Sequence, residues 1–411
     1  MAKPVEKVEI GFDLTANGVG PYFRLDDATA GVLDNTSYLL GGTIFFDITS
    51  RVKAFNIRRG KSRQLDKYST GSAQITLDNN ARDFDPEYTA SPYYGQIIPR
   101  REVRITSGTA VQYFGSVDDW NLEYQPNGDN LALAVCSDGF RKLANQSLTE
   151  HTSAEQKSGS RIEAILDRTE INWPIELRDI DAGRQTLGAD NVSANTNALT
   201  YLQTVEQSEP GSLFISKTGN LKFIDRAAGA SSDAVLLADD GAGIPYQGMK
   251  VVYGSELLYN EISINTKITG GTATASDESS QQIYGVLSLA QGNLLMSTTD
   301  AAQDLANYYS TLYANPEFRF ESVEIVLNDL TAEQQSNILG FELGDTVRVR
   351  FTPGKPAQSP AIEKYVEIIR LDNVVTQTTH TVSIGFATLE VTQLVLDDAV
   401  FGKLNTGVLG L

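Results

Sequence analysis

The sequence is poor in cysteine and histidine, which supply many metal ligands and catalytic groups. Its 411 residues contain one cysteine, Cys136, and two histidines, His151 and His380. A single thiol cannot form an internal disulfide, and three scattered ligands make a poor zinc site. Cys136 lies in the apolar run LALAVCSD and is expected to be a small core residue. His151 lies in a polar run typical of a loop, whereas His380 begins a predicted strand, and no pattern gives either a catalytic role.

Motifs for phosphate binding and nucleophilic catalysis are also missing. The sequence has no G-x-x-x-x-G-K-[ST], no G-x-S-x-G and no H-E-x-x-H. The run GAGIPYQG lacks the glycine spacing of a dinucleotide loop. Asp118 and Asp119 are adjacent in a predicted strand, where neighbours point to opposite faces, so they are not expected to form a catalytic pair. The sequence therefore predicts a protein that is not an enzyme, with no catalytic, metal or cofactor-binding residues.

Positive charge is scarce. Lys and Arg number 33 against 52 Asp and Glu, which gives a net charge of −19. Such a surface repels phosphate backbones, so sequence-specific nucleic-acid binding is not expected. No run approaches the roughly 20 apolar residues that cross a bilayer, and the N-terminus lacks a signal-peptide pattern. We expect no stable membrane insertion and synthesis in a cytoplasm.

The dominant pattern that is present is alternation with period two, which is typical of half-buried strands. Frequent Gly, Pro, Asn and Asp separate these runs. The predicted inward-facing residues span Val8–Leu14, Ala73–Leu77, Val103–Ile105, Leu131–Val135, Val323–Leu327, Val347–Phe351 and Val382–Phe386.

Helices are predicted to be few. Capping boxes mark the starts of two of them, with Ser160 and Glu163 in one and Thr331 and Gln334 in the other. The four predicted helical runs are SRIEAILDRT, NTNALTYLQTVEQSEPG, TTDAAQDLANYYSTLYANP and TAEQQSNIL.

A β-hairpin is predicted in the run GSLFISKTGNLKFID. Its turn, KTGN, would place Leu213 and Ile215 opposite Leu221 and Phe223. Because this hairpin follows a predicted helix, the middle of the chain is expected to be mixed α/β.

The fold class predicted from these elements is mainly β with α/β insertions. Two segments rich in small and polar residues are expected to be flexible connections, Ala227–Ala234 and Gly270–Gln282. The predicted division is an N-terminal extended arm or strand (1–40), a first β-barrel (41–145), mixed α/β domains (146–230), a second β-barrel with two helices (231–395) and a C-terminal tail (396–411).

A faint internal repeat links the two predicted barrels. The pattern Ser-x-x-Ile-x-Leu followed by Asp-Asn or Asn-Asp occurs at Ser72–Asn79 and again at Ser322–Asp329. Each copy is followed by a similar strand, REVRIT in the first case and DTVRVRF in the second. Either two period-two strands look alike by chance, or the chain carries two copies of one β-barrel.

The segment Asp78–Asp85 concentrates Asp and Asn side chains and raises the question of a cation site. An EF-hand loop starting at Asp78 would need a glycine sixth and a glutamate twelfth, and the sequence places Asp83 and Thr89 there. Asp and Asn also end strands, because their side chains bond nearby backbone groups. We expect a turn here, with an irregular cation site as the alternative.

Several short patterns follow one another along the chain: Asp47-Ile48-Thr49, Arg59-Gly60, Gly71 to Asn79, Arg82-x-Phe84-x-Pro86, Pro99 to Ile105, Phe114 to Trp120 and Asp138 to Leu143. A helix and the hairpin ending Gly219-Asn-Leu221-Lys-Phe223 come after them. The order of these patterns resembles the N-terminal hub region of minor tail proteins of long-tailed, non-contractile bacteriophages. The match is strongest over residues 41–145 and weaker afterwards, and one departure is a glycine at Gly115, one place early.

This resemblance implies the tail-hub fold, also called baseplate hub-like, with two related β-barrels and inserted α/β domains. It further implies a homotrimeric ring at the distal end of a virion tail, assembled in the host cytoplasm. The ring would adapt a sixfold tail tube to a threefold tip and surround the channel for genome DNA. Partners would be the tail tube or a distal tail protein above, and tip-fibre or receptor-binding proteins below. The acidic balance suits a channel in which DNA slides.

A carbohydrate-binding adhesin and a hydrolase are the two alternative functions. A carbohydrate-binding adhesin of the tail tip is suggested by the aromatic pairs Tyr93-Tyr94 and Tyr308-Tyr309. A hydrolase on a β scaffold lacks a nucleophile–base set. The basic run that contains Arg58, Arg59, Lys61 and Arg63 would contact a neighbouring subunit or form a solvated loop, and the apolar tail FGKLNTGVLGL would dock on a neighbour.

Overall fold

The protein is mainly β with six helices in its described part. A computed structural model describes residues 2–12, 43–126, 128–226, 234–354 and 360–389. The helices are α1 (Phe140–Ala144), α2 (Ser158–Leu166), α3 (Ala198–Ser208), α4 (Glu278–Tyr284), α5 (Thr299–Tyr313) and α6 (Ala332–Gly340). The strands are β1 (Glu6–Gly11), β2 (Phe45–Asp47), β3 (Val52–Gly60), β4 (Ser69–Asp78), β5 (Glu102–Ser107), β6 (Ala110–Glu123), β7 (Leu131–Ser137), β8 (Ser147–Leu148), β9 (His151–Ser153), β10 (Gln156–Lys157), β11 (Arg178–Ile180), β12 (Thr186–Leu187), β13 (Asp190–Val192), β14 (Thr196–Asn197), β15 (Ser212–Ile215), β16 (Leu221–Ile224), β17 (Leu236–Ala238), β18 (Gly248–Tyr253), β19 (Glu261–Thr266), β20 (Thr272–Ser276), β21 (Ser288–Leu294), β22 (Phe318–Val326), β23 (Thr346–Phe351), β24 (Ile362–Thr376) and β25 (His380–Thr388).

One 13-stranded sheet forms the frame of the molecule. Its main path runs β18-β22-β25-β24-β3-β4-β7-β6-β5-β1-β2, and β23 pairs with both β17 and β24 beside this path. The sheet therefore contains strands from both ends of the chain, and β24 and β3 join them in the centre.

Twelve of the thirteen strands form two repeats with the same strand order, and β2 is added at the edge of β1. The N-terminal repeat runs β3-β4-β7-β6-β5-β1, and the C-terminal repeat runs β18-β22-β25-β24-β23-β17. Equivalent strands also follow one another in the same order along the chain. They differ at one end, because β1 is antiparallel to β5 whereas β17 is parallel to β23. The predicted copies at Ser72 and Ser322 lie on the equivalent strands β4 and β22, so the interpretation as two copies of one unit is supported.

The pairing closes neither repeat into a barrel within the described residues, so the two predicted barrels are open sheets. In the N-terminal repeat the edge of β3 that would have to close the ring instead pairs with β24 of the other repeat. A strand has only two hydrogen-bonding edges, so this pairing prevents closure.

Three buried clusters fill the interior. The first contains the inner faces of β1, β3, β4 and β5, and the second extends from α1–α3 and the β15–β16 hairpin to the C-terminal repeat. The third lies between α5 and the small β20-β19-β21 sheet, which is inserted between β18 and β22.

Most predicted elements are present. The hairpin has the predicted register, with Leu213 opposite Phe223 and Ile215 opposite Leu221. The helix α6 begins with the predicted capping box of Thr331. The inward residues of β4, β5, β22, β23 and β25 are buried, except for the half-buried Phe351.

The strand β7 presents the opposite face from the one predicted. Leu131, Leu133 and Val135 are only half-buried. Its inner face lies beside large side chains of β4, including Ile75 and Leu77, and small side chains opposite large ones fill the interior. The buried residues of β7 are therefore Ala132, Ala134 and Cys136.

Two further predictions were wrong. The helix α2 begins at Ser158 directly after β10, so Ser160 lies inside the helix and forms no capping box. Most of Gly270–Gln282 is not a flexible connection, because β20 pairs with β19 and Asp277 caps the first turn of α4. Leu14, residues 227–233 and the C-terminal tail lie outside the described residues.

Candidate assembly site

The segment Asp78–Asp85 forms a turn in which side-chain oxygens accept local hydrogen bonds. Asp78 Oδ1 accepts a bond from the Asn80 amide at 2.9 Å, and Asn79 Oδ1 accepts one from the buried Phe84 amide at 3.0 Å. The Arg82 guanidinium donates two bonds to Asp85, at 2.9 and 2.6 Å. Most of these oxygens are thus already engaged, and the described residues contain no cluster of three or more His, Cys, Asp or Glu arranged for a metal.

Charge pairing stabilises the ionised form of the turn. Burial acts to raise the pKa of Asp85, but hydrogen bonds from Arg82 and from the Glu87 amide outweigh it, so the pKa lies below the usual value. Arg82 has φ of 59°, a left-handed conformation that the tight turn requires. The segment therefore ends β4 and sets the direction of the chain towards β5.

Replacing Asn79 by alanine is expected to lower the free energy of unfolding by about 1–2 kcal/mol, because the buried Phe84 amide loses its acceptor. Chemical denaturation followed by circular dichroism measures this loss. Adding millimolar calcium is expected to leave the wild-type melting temperature unchanged. A calcium-dependent increase that disappears in Asn79→Ala would instead support the cation site.

Cys136, His151 and His380 lie in three separate environments. Cys136 is buried in the core, and burial raises the pKa of its thiol, which opposes a nucleophilic role. His151 lies in the short strand β9 and not in a loop, with Nδ1 2.8 Å from the Thr149 carbonyl oxygen. His380 is fully buried at the start of β25, and its Nδ1 lies 2.9 Å from Glu6 Oε1.

Asp118 and Asp119 in β6 do not form a pair of facing carboxylates. The ladder between β6 and β7 shifts register between Val117 and Asp119, so Asp118 is the bulged residue. Asp118 is half-buried with Arg100 at 3.8 Å, whereas Asp119 is exposed.

The junction between β3 and β24 joins the two repeats in one continuous sheet. It pairs Ala54–Gly60 with Arg370–Thr376 in antiparallel register, with Arg58 directly opposite Asp372. Gly60 has φ of +112°, and a Cβ there would lie 2.1 Å from the Ile369 carbonyl oxygen. Only glycine therefore allows β24 to approach so closely at the end of β3.

A largely buried ion pair lies beside this junction and joins β3 to Glu342, which follows α6. Arg59 is 4% exposed and donates from Nη2 to the Ile215 carbonyl oxygen at 3.0 Å and to Glu342 Oε1 at 2.5 Å. Glu342 Oε2 accepts a bond from the Lys217 amide at 2.8 Å. The Lys217 ammonium donates to three carbonyl oxygens at the end of α6. Strand β3, the hairpin turn and α6 are thereby linked.

The basic run is divided between strand β3 and the exposed loop that follows it, and Arg59 is not a free contact surface. Arg58 and Arg59 lie within β3. The Lys61 ammonium lies 4.8 Å from the centre of the Tyr68 ring, and Arg63 forms an exposed ion pair with Glu256 at 3.0 Å.

A cleft of about 170 Å³ lies beside the junction. Its lining includes Lys61, Lys67 and Glu206, the last on α3. The Glu206 side chain is buried, Oε1 accepts a bond from the Leu213 amide at 2.9 Å, and Oε2 has no hydrogen-bond partner within the described residues. Burial raises the pKa of Glu206 to about 7.

Several strand edges have no strand partner in the described part of the chain, and two of them lie on β18 and on the last part of β6. In the part of the chain that the structure describes, β18 pairs only with β22, and the last residues of β6 pair only with β7. Tyr253 at the end of β18 is 68% exposed. Open edges carry unpaired backbone donors and acceptors and are ready to pair with another chain.

The tyrosine pairs that suggested an adhesin are used mainly for packing. The Tyr93 ring lies 4.7 Å from Phe12 and 5.5 Å from Phe84 between ring centres. Tyr309 is buried in the cluster beneath α5, whereas Tyr94 is partly exposed.

Among the described helices, none combines the length and the apolar character required to cross a membrane.

Sequence reasoning missed Glu342 and Lys217, which link β3 to the hairpin turn and to the end of α6. Glu342 lies 283 residues after its partner Arg59, and no local pattern connects them. The one available signal was the Arg59-Gly60 pair, which marks the place where β3 meets β24.

The fold is shared with solved structures of tail proteins. No family model matches the sequence, and no curated protein matches it. The tail protein of Neisseria meningitidis MC58 superposes with a TM-score of 0.58 at 10% identity, covering 93% of this chain and 96% of that one. The 43 kDa tail protein of prophage MuSo2 from Shewanella oneidensis gives 0.55 at 12% identity, covering 85% and 96%. The resemblance found in the sequence is thus confirmed at the level of the fold, and the chain has the fold of these tail proteins.

Proposed function

We propose that this protein is a structural hub of a bacteriophage tail tip, in which three copies form a ring around the DNA channel. The observation that carries the proposal is the internal repeat, six strands in the same order twice in one chain. The shared fold with two tail proteins supports a role in a tail.

A chain with two similar units can match two symmetries at once. Three such chains present six similar units to a sixfold tube, while the ring as a whole remains threefold for the tip below. The two repeats lie mainly in the predicted segments 41–145 and 231–395, with the mixed segment 146–230 between them, but β1 of the N-terminal repeat lies in the predicted segment 1–40. We retain the later boundaries as part of the proposal and add β1 to the first unit.

The charge suits this role. With a net charge of −19, the protein repels DNA rather than binding it, so the genome can pass through the ring. We place the protein at the distal end of the virion tail, assembled in the host cytoplasm, with a tube or distal tail protein above and fibre or receptor-binding proteins below. We assign it no enzymatic activity. No observation favours the adhesin.

The purified full chain is expected to have about three times the 44.7 kDa mass of one protomer in light scattering. Antibodies against it are expected to label the distal end of assembled tails in electron micrographs. Labelling along the tube or on the capsid would contradict the proposed position, and tails that contain none of the protein would contradict the function.

A further inference from the structure

The internal repeat implies a second junction that is equivalent to the β3·β24 junction. In this junction the first strand of the N-terminal repeat pairs with the long strand of the C-terminal repeat. By strand order, β18 is equivalent to β3, and β6 is equivalent to β24. The equivalent contact would therefore pair β18 with β6, and within one chain these two strands lie far apart in the sheet order.

Both strands leave open the edge that this contact needs. On β24, β23 occupies the positions up to Glu367 and β3 continues along the same edge from Arg370. On β6, β5 occupies the positions up to Ser116, and in the described residues no strand continues along that edge from Asp119 to Glu123. The stretch of edge that β3 occupies on β24 therefore has no strand partner on β6 within the described residues.

The register follows from the repeated pattern. Ser72 and Ser322 are its first residues, and Arg58 lies opposite Ser72 just as Lys250 lies opposite Ser322. Both ladders then shift register, after Arg58 in one and after Lys250 in the other. Lys250 is therefore the equivalent of Arg58.

The acidic partner is repeated as well. Alignment of β4 with β22 makes Val135 in β7 equivalent to Ser383 in β25. Asp119 lies opposite Val135, and Asp372 lies opposite Ser383. Asp119 is therefore the equivalent of Asp372, the residue that faces Arg58 in the junction within the chain.

We propose that residues 246–250 of one copy, at and just before the start of β18, pair in antiparallel register with the Asp119–Glu123 part of β6 in the next copy, with Lys250 opposite Asp119. The occupant of each open edge is thus a second copy of this chain. The same register places Met249 opposite Trp120, and cross-strand aromatic pairs of this kind stabilise sheets. Charge complementarity supports the contact, because the basic Lys250 and the acidic Asp119 are both exposed, and Lys250 also forms an exposed ion pair with Glu321 at 2.7 Å.

Ring closure follows if the two kinds of junction have the same geometry. Junctions within and between chains then alternate, and three chains close a ring of six repeats. This inference rests on the proposed trimer but adds the surfaces that hold it together. Pairing also removes the open edges, which otherwise favour aggregation.

Charge reversal tests the contact on the full chain. We expect Asp119→Lys to raise the dissociation constant of the trimer by about 100-fold across its three junctions, as measured by sedimentation velocity. The double variant Asp119→Lys, Lys250→Asp is expected to recover most of the loss, because the pair is restored with its signs exchanged. Lys222→Glu changes the net charge on a strand away from both edges and is the control, with no expected change.

Disulfide trapping gives an independent result. Oxidation of Asp119→Cys, Lys250→Cys is expected to produce a covalent trimer on a denaturing gel, because directly opposite residues lie within disulfide range. The equivalent pair Arg58→Cys, Asp372→Cys is expected to cross-link within one chain and to migrate as a monomer. Either single variant is the negative control.

The outcomes separate this inference from the proposed function. A trimer that is unaffected by Asp119→Lys and yields no covalent species would overturn the edge pairing while the hub ring stands. A strict monomer in solution would also overturn the pairing, and labelling of assembled tails would then decide independently whether the hub function survives.

Discussion

Replacing Arg59 by methionine is expected to lower the free energy of unfolding by about 4 kcal/mol, because it leaves a buried carboxylate without its cation. Arg59 is 4% exposed and contacts both Glu342 and the Ile215 carbonyl oxygen. Without the guanidinium, Glu342 keeps only the hydrogen bonds from the Lys217 and Leu343 amides. Methionine has a similar length, so lost packing contributes little.

The exposed pair of Arg63 and Glu256 provides a matched control. Their side chains are 65% and 44% exposed, so Arg63→Met is expected to cost less than about 1 kcal/mol. Both variants are compared by urea denaturation followed by circular dichroism. Equal losses would mean that the Arg59 pair is screened by solvent. Arg59→Lys keeps the charge but not the forked geometry, and an intermediate loss is expected.

Replacing Glu206 by glutamine is expected to stabilise the protein at pH 8 by about 3 kcal/mol and to have little effect at pH 5. Burial raises the pKa of Glu206 to about 7, against the opposing effects of the Leu213 amide and of Lys61 and Lys67. The folded state therefore binds its proton more tightly than the unfolded state, whose carboxyl titrates near its ordinary value of 4.5.

The sign of the pH dependence follows from this shift. The contribution of Glu206 to stability is fully present below pH 4.5 and is lost as the pH rises through 7, because the folded state must then hold a buried charge. Glutamine retains the acceptor for the Leu213 amide and carries no charge. The measurement is the free energy of unfolding of both proteins from pH 5 to pH 8. Parallel curves would show that folding does not raise the pKa of Glu206.

Replacing the neighbouring Glu209 by glutamine is expected to have the opposite effect on stability to Glu206→Gln. It is fully buried, but its carboxylate accepts bonds from the Ser158 hydroxyl and from the Arg184 and Gln185 amides. Glu209→Gln removes part of this set and is expected to destabilise the protein by about 2 kcal/mol at pH 7. Glutamine substitution is therefore expected to change stability with opposite sign at Glu206 and Glu209, which lie three residues apart. The reason is that only Glu209 has both carboxylate oxygens hydrogen-bonded.

Local patterns predicted the elements well where the chain itself sets the geometry. The hairpin register, the capping box at Thr331 and the inward faces of β4 and β22 depend on near neighbours in sequence. The turn at Asp78–Asp85 was predicted for the same reason, because Asp and Asn bond backbone groups one to five residues away.

Predictions failed where a distant partner decides the outcome. The inner face of β7 carries its small side chains because Ile75 and Leu77 of β4 fill the space beside it. The start of α2 is set by the pairing of β10 with β12 rather than by Ser160. The strand β20 exists because β19 supplies its hydrogen-bond partners, although its sequence resembles a flexible connection.

The sequence by itself determined that the chain is β-rich, acidic and poor in cysteine and histidine, because period, composition and turn chemistry are local properties. It left the internal repeat open between chance and duplication. Only the tertiary structure decided that β3 pairs with β24, so that the two repeats form one open sheet with a buried ion pair at the join. A strand edge carries the same donors and acceptors whatever its side chains are. Which edges meet therefore depends on packing between residues that are hundreds of positions apart.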